Sequence, residues 1–165
     1  MNQEEKIKHL EDNLARQLGW IETADSKATF IFMLNVAMLG LLASVSPLSI
    51  CYWIFTSALF ASLSAALSLM SLLFLSIASF PITQGPSDSL IFFGEIVKRD
   101  IDQFKSEIDL TTFEKYTVDL AEQCYRNAQI ANRKYEWIQR ALLCLYLSVI
   151  PWGLAIYSLY NIGSK

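Results

Sequence analysis

The sequence predicts an all-α integral membrane protein with three transmembrane helices and a cytoplasmic helical stalk. Two of the spans are expected to continue into long cytoplasmic helices. Three observations carry this. The 13 Lys and Arg and the 16 Asp and Glu of the 165-residue chain all avoid Ala28 through Ser87. A span needs about 20 apolar residues, so that window holds two spans joined by a tight turn. A third apolar run, Ala141 to Ile162, follows Arg140 directly, and no proline separates either the first or the third run from the amphipathic segment before it.

The first element, residues 1–27, reads as a cytoplasmic amphipathic helix. Asn2 supplies an N-cap with Glu5 at the third position. Ile7, Leu10, Leu14, Ile21, Ala24, Ala28 and Ile31 then follow heptad spacing, with Gln17 as the polar member. The segment carries mixed charge ahead of the first apolar run, so a secretory signal is not expected. Transmembrane segment 1 is residues 28–46, and Ser46, Pro47 and Ser49 supply the turn. Transmembrane segment 2 is residues 52–80; its 29 residues would reach roughly 43 Å, against a hydrocarbon thickness of ~30 Å, so its end tilts or protrudes. Pro81 stops it.

Residues 81–140 form the second part of the cytoplasmic module. With residues 1–27 they make about 87 residues outside lipid, enough for one helical module but not for a separate catalytic domain. Thr83–Ser89 has loop chemistry. Val97, Ile101, Phe104 and Ile108 mark the buried stripe expected of a short helix. Thr111 with Glu114 reads as a capping box for the helix that runs into transmembrane segment 3, residues 141–162, where Pro151 and Gly153 are expected to kink it. Along that helix Ala121, Cys124, Ala128, Ala131, Tyr135, Ile138, Leu142 and Leu145 form a coiled-coil seam that pairs with the first helix.

Basic residues orient the chain. Lys6, Lys8, Arg16 and Lys27 precede the first span, eight more lie between the second and third, and the first turn has none. The positive-inside rule puts the N-terminus in the cytoplasm and the C-terminus outside.

Several function classes are poorly supported. The net charge is -3 and there is no polybasic block, so no nucleic acid partner is expected. Cys51, Cys124 and Cys144 are widely spaced and His9 is the only histidine, so no metal site is expected. No nucleophile–base pair and no phosphate-binding glycine loop is visible, so no catalytic residues and no enzyme activity are expected.

Three juxtamembrane clusters and one seam carry the functional reading. Around Trp20–Ala28, Trp20 suits the membrane interface and Lys27 snorkels, whereas Asp25 sits one turn from lipid and calls for an ion pair or a ligand. Around Leu90–Ile96, core packing competes with a stacking role for Phe92 or Phe93 and a close backbone approach at Gly94. Around Ile130–Ile138, a basic face with Arg126, Arg133 and Arg140 at seven-residue spacing meets either anionic lipid or a small anion. In the second case Arg133 and Lys134 hold a phosphate, and Trp20 or Tyr135 stacks on a flat ring. Ser57, Ala61, Ser64, Ser68 and Ser71 form a small-residue seam on the second span, read as intramolecular packing, an oligomer interface or a weakly polar pore wall. A pore would require a homo-oligomer.

The motifs Trp20–Ala28 (Trp-Ile-x-x-Ala-Asp-x-Lys-Ala), Phe92–Ile96 (Phe-Phe-Gly-x-Ile) and Ile130–Tyr135 resemble the transmembrane effector family of Pycsar antiphage systems, as does the order of elements. The resemblance implies a membrane effector, in the cell inner membrane, activated by a cyclic pyrimidine mononucleotide, cCMP or cUMP. A partner nucleotide cyclase would make that messenger, and the effector would impair membrane integrity so that infection aborts. It marks Trp20, Asp25, Lys27, Phe93, Gly94, Lys134 and Tyr135 as functional or structural positions. It implies no cofactor beyond the activating nucleotide. The alternative reading is a membrane anchor or scaffold that recruits a cytoplasmic partner.

Overall fold

The computed structural model describes residues 2–47 and 53–163. The expected turn residue Ser49, the expected start of the second span at Tyr52, Cys51 and Lys165 lie outside the described residues. Among the described residues every regular element is a helix: α1 (Gln3–Val45), α2 (Phe55–Ser79), α3 (Phe93–Ile96), α4 (Ile101–Asp109) and α5 (Phe113–Gly163). Three of them, α1, α2 and α5, are long and apolar enough to cross a membrane, and the chain is an all-α multi-pass membrane protein.

The helix ends follow local chemistry. The backbone N–H of Asn2 donates to Glu5 Oε2 at 2.9 Å, the reciprocal half of a capping box. At the start of α5 the cap is Thr112 rather than Thr111: Thr112 Oγ1 accepts from Lys115 N at 3.3 Å. Thr111 instead closes α4, donating its hydroxyl to the Glu107 carbonyl at 2.6 Å. The two adjacent threonines divide the end of one helix from the start of the next, which a one-residue sequence offset cannot resolve. Residues after Ser79 leave helical geometry, with Phe80 extended ahead of Pro81, as expected of a residue preceding proline. Pro151 lies inside α5, which stays helical through it.

The chain forms two compact units, Met1–Ala24 with Pro81–Lys134, and Asp25–Phe80 with Tyr135–Lys165. Each of α1 and α5 contributes residues to both.

In the second unit the interior is small and hydroxylated. Along α2, Ser57, Ala61, Ser64, Ser68, Ser71, Leu75 and Ala78 are buried at alternating three- and four-residue steps. From α1 come Ala28, Ile31, Asn35 and Leu42, and from α5 Ile138, Ala141, Leu145, Ser148, Ala155 and Leu159. The outside is apolar, with Phe30, Met33, Phe55, Leu69, Leu73 and Ile150 exposed. That inversion is what lipid selects, because exposed apolar side chains cost nothing there and small residues let helix backbones approach. Some polar groups inside are bridged, whereas the Ser64 and Ser68 hydroxyls and Asn35 Oδ1 have no hydrogen-bond partner. Asn35 Nδ2 donates to Ile31 O at 2.9 Å and to Ser71 Oγ at 3.0 Å, Ser71 Oγ donates to Ala141 O at 2.9 Å, and Trp152 Nε1 donates to Met38 O at 2.9 Å.

The seam of Ser57, Ala61, Ser64, Ser68 and Ser71 is thus buried inside a single chain. Intramolecular packing accounts for it, and it presents no surface of that chain as a subunit contact or pore wall.

In the first unit the heptad pattern continues with ordinary side chains. Leu10 and Leu14 of α1 are half-buried, and Thr117, Leu120, Cys124 and Ala131 of α5 are buried. Leu120 takes the inward position rather than the expected Ala121, which is exposed. The Cys124 thiol donates to the Leu10 carbonyl at 3.3 Å, and burial pushes its pKa up, so it stays a thiol. The expected buried stripe of Val97, Ile101, Phe104 and Ile108 is not formed. Val97, Ile101 and Ile108 are exposed and Phe104 is half-buried. A turn between α3 and α4 breaks the helical register between Val97 and Ile101, so the spacing does not describe one face.

Candidate functional site

The most elaborate polar construction outside the spans is the connection Gln84–Phe92. It leaves the second span as a proline-flanked strand of loop residues and turns at Asp88, whose φ of 57° lies in the left-handed region that Asp tolerates. Its centre is Ser89, which is buried. Three donors converge on Ser89 Oγ: Ile91 N at 3.0 Å, Phe92 N at 2.9 Å and Gln123 Nε2 at 2.9 Å. The first two are the local bonds a serine makes in a turn. The third ties the turn to α5.

Two further residues hold the same turn. Asp119 Oδ2 accepts from Leu90 N at 2.8 Å. Arg99 donates through Nη1 to the Ser89 carbonyl at 3.0 Å and to the Glu95 carbonyl at 2.9 Å, and through Nε to Glu107 Oε2 at 2.8 Å. Glu107 is held below the usual carboxylate range, first by its hydrogen bond from Gln103 and then by the Arg99 charge. The hydrogen bond from Lys98 does the same for Glu95. A loop held at four backbone positions, Ser89 through Phe92, makes a fixed wall rather than a flexible connector.

Phe92 explains two glycines. A Cβ added to Gly85 would sit 2.5 Å from the Phe92 ring, and one added to Gly94 would also come within 2.5 Å of it. The ring lies against both glycines, so the space that Gly94 leaves is filled by Phe92 and is not an opening for ligand. Phe93 is exposed, with its ring centroid 4.7 Å from that of Phe92.

This wall and α5 bound a groove of about 720 Å³ lined by Gly85, Pro86, Ser87, Val118, Glu122, Tyr125 and Arg126, among others. Val118, Glu122 and Tyr125 are four and three residues apart, on one face of α5. Arg126 bridges the two sides, donating from Nε to the Gln84 carbonyl at 2.9 Å and from Nη1 to Gln129 Oε1 at 3.1 Å. In the membrane unit a cavity of about 430 Å³ lies between α1 and α2, lined by Leu39, Leu42, Trp53, Ala58 and other uncharged residues. It offers no cation to an anionic ligand.

The residues singled out from sequence are distributed over both units. Trp20, Phe93, Gly94, Arg133 and Lys134 belong to the first, and Asp25, Lys27 and Tyr135 to the second. Lys27 and Tyr135 do come together: Lys27 Nζ lies 5.1 Å from the centre of the Tyr135 ring, a cation–π contact within the chain. Trp20, Asp25, Lys27 and Arg133 are exposed, and Lys134 and Tyr135 are half-buried. The three arginines at seven-residue spacing have different surroundings. Arg126 binds the loop, Arg133 is exposed, and Arg140 lies 4.4 Å from the centre of the Trp137 ring.

Sequence reasoning missed Ser89, Arg99, Asp119, Glu122, Gln123 and Tyr125. The Pro-Ser-Asp-Ser run signals a turn, so a serine accepting local backbone bonds was legible there. The partners from α4 and α5 carry no local signature.

Residues 9–159, nearly the whole chain, match the profile of the Pycsar effector protein domain. No curated protein and no solved structure matches the chain.

Proposed function

The chain belongs to the Pycsar effector family, and from that premise we propose that it is a non-enzymatic effector of the cell inner membrane. In this reading it binds a cyclic pyrimidine mononucleotide, cCMP or cUMP, supplied by a partner cyclase during infection. As a homo-oligomer it then breaches the bilayer, and the cell dies before phage mature. The observation that carries the reading is the extent of the family match, which includes the aqueous helices and all three spans. In this reading the aqueous helices sense the ligand and the spans damage the membrane.

Physical features support the role. The basic residues cluster on the side that the positive-inside rule assigns to the cytoplasm, where the messenger is made. Because α1 and α5 are each continuous from charged sequence into apolar sequence, a change in helix pairing outside lipid is the natural input to the spans. Arg133 and Lys134 have two uses in this scheme, contact with anionic headgroups or with the nucleotide phosphate.

A second reading, a membrane anchor that recruits a cytoplasmic partner, is favoured by one observation. Phe93, Val97, Ile101 and Leu110 expose apolar surface on the aqueous unit.

The test is binding and leakage with the full chain in liposomes. Titration with cCMP, cUMP, cAMP and cGMP is expected to give heat with a cyclic pyrimidine only, and the same nucleotide is expected to release an entrapped dye. Folded protein that binds none of the four and leaves the vesicles intact would put the anchor reading first.

A further inference from the structure

We propose that the groove between the Gln84–Ser87 wall and α5 is the seat of the cyclic nucleotide, with Arg126 on the phosphodiester, Tyr125 under the base and Glu122 at the base edge. The inference rests on the functional reading above and assigns that reading a place and a selectivity.

Size and shape come first. The groove is about 720 Å³, inside the range that holds small ligands of this class. From Val118 to Arg126 it runs along about 12 Å of helix, room for one nucleotide lying lengthwise. Its far wall does not have to be ordered by the ligand, because Ser89, Arg99 and Asp119 already hold the turn that follows it. Gly85 lies flat on Phe92 beneath that wall. A pre-built wall lowers the entropy cost of binding.

The chemistry then fits one charge and one flat ring. Arg126 uses two of its five N–H donors, one on the Gln84 carbonyl and one on Gln129, and the remaining donors are available to an anion. The two existing bonds fix the guanidinium in place. Tyr125 is largely exposed on the same wall, and an uncovered aromatic face suits stacking of a base. Glu122 is the one acid among the lining residues. A carboxylate accepts from the exocyclic amine of cytosine, whereas uracil presents a carbonyl oxygen there and is repelled. The groove therefore selects cCMP over cUMP.

The experiment is calorimetric titration of the full chain in nanodiscs with cCMP and cUMP. Tyr125→Ala and Arg126→Ala are each expected to weaken cCMP binding at least tenfold, and Tyr125→Phe is expected to retain it. Ala121→Trp places a bulky ring in the groove from an exposed position without removing a hydrogen bond, and is expected to abolish binding in protein with an unchanged melting curve. Glu122→Gln is expected to narrow the gap between cCMP and cUMP. Lys105→Ala, which removes a cation from the exposed face of α4, serves as the charge control and is expected to bind as wild type. Wild-type affinity in both Arg126→Ala and Ala121→Trp, with the unaltered chain still binding, would place the ligand elsewhere and leave the effector reading standing. Failure of the unaltered chain to bind any cyclic nucleotide would overturn both.

Discussion

The two compact units share α1 and α5, and they differ most in what lies outside and in the mostly serine and alanine row that α2 adds to one of them. In the aqueous unit the inward residues include Leu10, Leu14, Leu120 and Cys124, while the outside carries the charge. In the membrane unit the inward residues are dominated by Ala, Ser and Asn35, and the outside is Phe, Leu, Met and Ile. Water rewards burial of apolar area, which is what Leu10, Leu14 and Leu120 supply in the aqueous seam. Lipid gives no such reward, so the membrane seam is filled with whatever lets backbones approach and bond. One periodicity therefore does not imply one energy source, and the two halves are expected to respond differently to the same kind of substitution.

The largest expected effect is overpacking in the membrane seam. Ser64 and Ser68 are each 1% exposed. Ser64→Leu and Ser68→Leu each add two heavy atoms at a buried position, at about 1–3 kcal/mol each. The double variant is expected to lower the melting temperature sharply in detergent and to lose membrane activity. Unaltered melting and toxicity would mean that this stripe is not close-packed. The equivalent change on the outer surface, Ser62→Leu, is expected to be neutral, because Ser62 already faces lipid.

An intermediate pair compares one buried serine from each unit. Ser89 Oγ receives three hydrogen bonds, and Ser89→Ala strands two backbone N–H groups and Gln123, at about 2–3 kcal/mol. Ser71 bridges Asn35 and Ala141, and Ser71→Ala is expected to cost about 0.6 kcal/mol, the usual size of an interhelical bond in lipid. Thermal unfolding of both variants checks the order. Equal losses would show that the membrane bond has no competing partners when broken.

How much of this was legible beforehand follows the range of the signal. The spans, the heptad of α1 and the Asn2–Glu5 cap were readable, since each is a pattern within one helix. The stripe from Val97 to Ile108 failed because a turn separates Val97 from α4, and periodicity does not register a break that short. At Gly94 core packing and a close ligand approach stay undecided in the sequence because a glycine shows only that a side chain is missing; that Phe92 fills the space is a tertiary fact. The groove at Arg126 stayed invisible for the same reason. Gln84 and Arg126, on its two walls, are 42 residues apart in sequence, and the loop wall has no charge to advertise it. The sites chosen from sequence lay where composition was unusual, next to the membrane, whereas the clamped loop is ordinary in composition and specific only in its partners.

The smallest effect is one of pH, and it is expected at the clamped loop and not in the membrane seam. In the aqueous unit Glu107 and Glu95 have their pKa values lowered by folding, chiefly through hydrogen bonds from Gln103 and Lys98. A carboxyl whose folded pKa lies below its unfolded value adds stability above the unfolded value, near 4.3, and that stability is lost as pH falls through the folded pKa. Both groups are half-buried at the surface and reach solvent, so the loss is modest and screened by salt. Acidification from pH 6 to pH 3.5 is thus expected to loosen the Arg99 clamp on the Ser89 turn slightly, and Glu107→Gln is expected to flatten that part of the response. The seam residues Asn35, Ser64, Ser68 and Ser71 carry no titratable group, so their packing should not follow the same curve. Site-resolved chemical shifts of Ser89 and Ser71 amides across that range decide the matter. Coincident titration of both would mean that the acid response is global rather than confined to the loop.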